Sequence, residues 1–174
     1  MPRQPRQQGF NLLEILLVLA IIGILLGVVY PSGQFLIETN RQATEVNQLL
    51  ATLERARQQS LNAQRTVIFG QGEACQPLQA TGAKGGWSLC YWNRNDGTTG
   101  EQIYRRGDSS YAVEASQAEI RFRPPPLTLA EPVYLLVDTG FNRVQPRVVR
   151  IAVTGRAQAI NCAEVEAVSF EACN

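Results

Sequence analysis

Residues 10–30 form an apolar run of 21 residues broken only by Asn11 and Glu14. As an α-helix rising about 1.5 Å per residue, this run would be about 31 Å long, the thickness of a bilayer's hydrocarbon core. The nine residues ahead of it are polar and carry Arg3 and Arg6 with no acid. That basic flank stays cytoplasmic by the positive-inside rule, so the rest of the chain is expected to be translocated. An ordinary secretory signal peptide has an apolar core of about 7–15 residues followed by a small-residue cleavage site. Here the run is longer, and no such site follows it cleanly. A plain single-pass anchor explains the length but leaves Glu14 unexplained. A carboxylate inside an apolar span costs about 2.5–3.5 kcal/mol on insertion scales, which makes Glu14 a candidate functional residue.

The remaining length suits about one domain within the 174 residues. From 34 to 64 the pattern is amphipathic: Val46, Leu49, Leu50, Leu53, Ala56 and Leu61 recur at spacings of three and four. Joined to the apolar run, this segment predicts one helix of about 80 Å. After Arg65 the texture changes to short β-rich runs at 66–69, 87–92, 119–123, 133–137, 148–154 and 165–170. Gly85-Gly86, Asn95-Asp96-Gly97, Gly107-Asp108, Pro124-Pro125-Pro126 and Thr139-Gly140 punctuate them. A long helix followed by strands predicts an α+β fold, with the helix laid on an antiparallel sheet.

Formal net charge is only +1, so charge alone demands neither nucleic acid nor an acidic surface as partner. The chain has no His, no nucleophile beside a recognisable base and no glycine-rich phosphate loop. No enzymatic activity, cofactor or metal is therefore expected. The four cysteines, Cys75, Cys90, Cys162 and Cys173, all lie in the second half. Behind an export signal, an even count favours two disulfides in an oxidising compartment. Zinc is the rival use, but there is no C-x-x-C pair and no His to support it. Three connectivities are open, and nearest-neighbour pairing, Cys75 with Cys90 and Cys162 with Cys173, is the expected one. Loops of this size are worth about 3 kcal/mol each in the chain-entropy model.

The string Gly9, Phe10, Asn11, Leu12, Leu13, Glu14 and the apolar helix after it resemble the class III signal of type IV pilins and type II secretion pseudopilins. The resemblance implies a leader at 1–9, cut between Gly9 and Phe10 by a prepilin peptidase and followed by N-methylation of Phe10. It also implies a transmembrane and assembly helix at 10–30, and a periplasmic or extracellular globular domain at 31–174. Asn11 stands where family members often have Thr. Glu14 is expected to pair with the N-terminal amine of a neighbouring subunit, and Pro31 sits where many pilins kink or melt the helix. The chain would then be a single-pass inner-membrane protein before it joins a filament of other pilins.

The body resembles the GspH/FimT family of minor pilins and pseudopilins. The strings that carry this resemblance are ARQQSLNAQRTV (56–67), GGWSLCYWNRNDG (85–97), IRFRP (120–124) and VVRIAVTGRAQAI (148–160). In that family IRFRP normally leads into a Gly, whereas here prolines intervene. The resemblance implies a minor pilin assisting pilus assembly or tip function in adhesion, motility or DNA uptake. Its alternatives are a DNA-binding competence pilin and a GspH-type minor pseudopilin of type II secretion. DNA-binding members carry a C-terminal G-R-x-R; the matching residues are Gly155, Arg156, Ala157 and Gln158, so the second Arg is missing. Arg147, Arg150 and Arg156 are the candidate DNA contacts. Strand alternation predicts Val149, Ile151 and Val153 facing the core, with Arg150 and Thr154 outside and Arg156 just past the edge.

Overall fold

The computed structural model describes residues 11–72, 74–78, 83–84, 86–93, 96–107, 109, 111–124, 129, 131–141, 143–165, 170 and 173. The side chains of 28–32, 83, 84 and 112 are not among them. One helix, α1 (Leu12–Ala63), opens the fold. It runs through Pro31, whose missing N–H removes one helical hydrogen bond. The chain divides into two compact units, 1–37 and 38–174.

In the first unit, residues 11–27 are exposed on every side of the helix, Leu12 to the extent of 76%. A helix that is apolar all round belongs inside a larger assembly or a membrane. Among the described residues no helix is long and apolar enough to cross a membrane. The side chains of 28–32 are not described, while the apolar sequence continues through Val28, Val29 and Tyr30.

In the second unit, the rest of α1 lies against two antiparallel sheets. The first contains β1 (Val67–Gln71), β3 (Trp87–Asn93), β4 (Thr98–Arg105) and β6 (Ile120–Phe122), in the order β4-β3-β1-β6. The second contains β2 (Ala83–Lys84), β5 (Ala112–Ala115), β7 (Val133–Asp138), β8 (Arg147–Ile151) and β9 (Ala157–Asn161), in the order β2-β5-β7-β8-β9. A short 3-10 helix, Cys162–Glu164, follows. The fold is therefore α+β, as the sequence predicts, with two sheets where one was expected.

The core follows from two periodicities. Val46, Leu49, Leu53 and Ala56 repeat at three and four along α1 and are buried. Alternate strand residues meet them: Val67, Phe69, Leu89 and Phe122 from the first sheet, and Leu135, Val137, Val149 and Ile151 from the second. Leu50 and Leu61, expected on the same apolar face, are half-buried.

Each sheet also has a covered back. Behind the first sheet, Ile68, Cys75 and Cys90 form a small buried cluster against Trp92. Behind the second, Tyr134, Leu136, Val148 and Phe170 pack together, flanked by Ile160, Cys162, Val165 and Cys173. The loop carrying Cys75 lies hard on β1: a Cβ at Gly70 would come within 2.5 Å of the Cys75 carbonyl carbon.

Several strand expectations need correction. β4 and β5 were not expected, because they lack the apolar alternation of a half-buried strand. β4 is an edge strand whose first five residues are exposed, so polar residues suffice there. The strand expected at 148–154 stops at Ile151. Val153, expected in the core, is 42% exposed in a turn that Gly155 closes at φ 73°. Of the strand expected at 165–170, Val165 and Phe170 are not strand, and 166–169 lie outside the described residues.

Candidate functional site

The first candidate site is the start of α1. Gly9 and Phe10, the expected processing junction, lie outside the described residues. Asn11 caps the helix: its side-chain oxygen accepts a hydrogen bond from Leu13 N at 3.4 Å, and its carbonyl accepts from Glu14 N at 2.9 Å. Asn is among the strongest N-caps, so its presence where relatives often have Thr is no local defect. Glu14 falls in the first turn, where the helix's exposed N–H groups favour an anion. Its environment within this chain is otherwise apolar, with Ile15, Val18 and Leu19 beside it.

The structure pairs Cys75 with Cys90 and Cys162 with Cys173, at Cα–Cα distances of 6.1 and 5.4 Å. Each bridge sits on the back of one sheet. Among the described residues no group of three His, Cys, Asp or Glu could hold a metal ion, and all four cysteines are in bridges.

The three arginines expected to contact DNA do not converge. Register pairs Arg147 with Val137 and Asn161, on the face that carries Val149 and Ile151. Arg150 pairs with Tyr134 and Gln158, on the opposite face. Arg147 is exposed at one end of β8 and donates to Asn161 Oδ1 at 3.2 Å. Arg156 is exposed in the turn beyond the other end. Arg150 is half-buried, because the back of its sheet is covered rather than solvated.

What the sequence pattern hid is a polar seam on the buried side of α1. Gln42 Nε2 donates to the Val137 and Gln145 carbonyls at 3.3 and 2.9 Å. Ser60 Oγ donates to the Phe122 carbonyl at 2.8 Å, and Trp87 Nε1 donates to Thr52 Oγ1 at 3.1 Å. Glu45 accepts from Ser109 Oγ at 3.0 Å. Its other oxygen lies 2.7 Å from Arg106 Nη2, an ion pair by distance without the alignment of a directed hydrogen bond. Arg106 in turn lies over the Trp87 ring, 5.0 Å from its centroid. Two turns earlier on α1, Glu38 accepts from the Tyr111 hydroxyl at 3.1 Å. Burial, and then this hydrogen bond, push the Tyr111 hydroxyl above its ordinary pKa of 10.0. A polar residue at a core-facing helical position is the signal that could have found this seam. It stays invisible until the facing carbonyls are known.

These features bear on comparison with known proteins. The prokaryotic N-terminal methylation motif matches residues 4–30. No curated protein sequence matches the chain. Among solved structures, the type IV minor pilin FimU of Pseudomonas aeruginosa strain PAO1 is similar in two crystal forms. Identity is 16% in both, with TM-scores of 0.56 and 0.57. The matches cover 74% and 75% of this chain, and 99% and 96% of the FimU chains. The motif at one end and the α+β body at the other make this chain type IV pilin-like, with a fold similar to that of FimU.

Proposed function

We propose that the chain is a minor subunit of a type IV pilus, made as a prepilin and consumed in filament assembly. One observation carries this: a methylation motif opens a helix that is apolar on every described side and leads into a closed pilin-fold body. The motif implies a prepilin peptidase and other pilins as partners. On this reading the peptidase cuts between Gly9 and Phe10 and methylates the new amine. The segment 10–30 then holds the subunit in the inner membrane, with the body in the periplasm, until assembly. Pro31 would let the helix bend between its two halves. Glu14 would meet the Phe10 amine of a neighbour, because a carboxylate in an apolar setting is tolerable only with an opposite charge beside it. The separated positions of Arg147, Arg150 and Arg156 lend no support to DNA contact, so the structural role is preferred over the competence role. Mass spectrometry of the mature protein tests the proposal: it should begin at N-methylated Phe10. A mature N-terminus between about 31 and 35, as a secretory signal peptide would leave, refutes it.

A further inference from the structure

At one end of the first sheet, β1 begins, β3 and β6 end, and α1 has just finished. Gln64 takes a left-handed conformation (φ 52°) to turn the chain there, and Trp92 N donates to the Thr66 carbonyl at 2.8 Å. This convergence leaves a cavity of about 650 Å³ whose charged lining, among the described residues, is Arg65, Arg121 and Arg123, with Trp92 as an aromatic wall. Two of the three guanidiniums are held in place by stacking. Arg121 lies 4.0 Å from the centroid of the Trp92 ring, and Arg65 lies 4.1 Å from that of Tyr91. Stacking occupies a guanidinium's face and leaves its N–H edge available to a carboxylate or phosphate. Arg121 is also tied to Glu119 at 2.6 Å, which offsets its charge. Arg65 and Arg123 have no carboxylate partner among the described residues. Asp96, in the nearby β3–β4 turn, is taken up by Thr98 and Asn93 instead.

We infer that this cavity is a docking site for a carboxylate-bearing segment of a neighbouring filament subunit, an inference that rests on the filament role proposed above. Two unpaired guanidiniums, Arg65 held against Tyr91 and Arg123 exposed beside it in the lining, match one or two carboxylates through charge-assisted, fork-like hydrogen bonds. Nucleic acid fits less well. The Trp92 ring is already covered by Arg121, so it is not a bare platform for base stacking. The late-strand arginines Arg147 and Arg150 belong to the other sheet, so they do not extend this cluster along its own sheet. Inside a filament, a neighbour's segment is presented at high effective concentration, so a contact weak in isolation suffices.

The test uses the detergent-solubilised full chain, titrated into a fluorescein-labelled polyglutamate peptide and, separately, a short mixed-sequence DNA duplex. The peptide should bind. Arg65→Gln with Arg123→Gln should weaken it by at least about tenfold, the loss of one hydrogen bond to a charged group per residue. Arg143→Gln, exposed elsewhere, should leave binding unchanged. Unaltered thermal unfolding of the double variant shows that its fold is intact. No peptide binding, binding indifferent to the double change, or preference for the duplex overturns the inference. In cells, Arg65→Glu with Arg123→Glu should still be cut before Phe10 yet be depleted from sheared filaments; normal incorporation refutes the docking role. A processing failure would instead strike the filament proposal, because the peptide titration does not depend on it.

Discussion

The bridge between Cys162 and Cys173 should act as a local latch rather than as a stabiliser of the whole body. It closes a loop with a sequence separation of 11 behind the second sheet. Within that loop, Phe170 is 1% exposed and packs on Tyr134, Leu136 and Val148. Opening the bridge, as in Cys162→Ser with Cys173→Ser, returns about 3 kcal/mol of loop entropy to the free segment. What remains to hold it is chiefly the burial of one aromatic side chain, about 1.5–3 kcal/mol before the cost of ordering the segment. The main core, between α1 and the front of both sheets, contains neither cysteine. The loss should therefore appear as local opening. Amide exchange in β9 and at Val165, Phe170 and Cys173 should rise on the order of 100-fold, since each 1.4 kcal/mol is a factor of ten. Exchange in β1 and β3 should barely move. An even rise across both sheets, or no rise in β9, would refute the latch, because either result means that the segment does not open separately from the core.

Other perturbations are expected to separate the roles of the polar groups. Glu45→Ala should destabilise the body by about 3–5 kcal/mol in denaturant unfolding, because it strands Arg106 in a largely buried place; Arg41→Ala, which breaks an exposed pair with Glu38, should cost no more than about 1 kcal/mol. The raised pKa of Tyr111 means that its contribution is fully present below its ordinary value of 10.0 and is lost as pH rises through the folded value. Thermal unfolding from neutral to strongly alkaline pH should show this loss, and Tyr111→Phe should diminish it. Glu14→Ala should insert and be processed normally, since the junction ahead of it is intact, but should be scarce in sheared filaments. Equal recovery of both proteins from filaments would dismiss the pairing role.

The long periodic elements were legible because one period decides them. The spacing of Val46, Leu49, Leu53 and Ala56 gave the buried face of α1, and the unbroken apolar, β-rich run at 133–137 gave β7 almost to the residue. The edge strand β4 was not legible: it carries no apolar stripe, since it pairs on one side only. Val153 misled because a β-branched residue in an apolar run reads as strand, while Gly155 two residues later forces a turn. The half-burial of Arg150 was not legible for a related reason. Parity correctly separated Arg150 from Val149 and Ile151, but it could not show that a second layer covers the back of the sheet. The cavity among Arg65, Arg121, Arg123 and Trp92 was hidden because its residues come from three segments that meet only through the antiparallel registers of β1 with β3 and β6.

On the filament reading, the apolar helix raises a question of driving force that Glu14 answers. Lipid tails are about as apolar as leucine side chains, so moving the segment from bilayer to a bundle of like helices gains little hydrophobic free energy. The helix is therefore nearly indifferent between its two environments as far as Leu12, Ile15, Leu16 and their neighbours are concerned. Glu14 is not indifferent. In the bilayer it costs about 2.5–3.5 kcal/mol, and beside a neighbour's amine in the filament most of that cost is offset. The amine exists only after the leader has been removed, so cleavage before Phe10 creates the partner that Glu14 lacks in the prepilin. Processing then sets the direction of transfer, and van der Waals packing among the helices holds the subunit once it has moved.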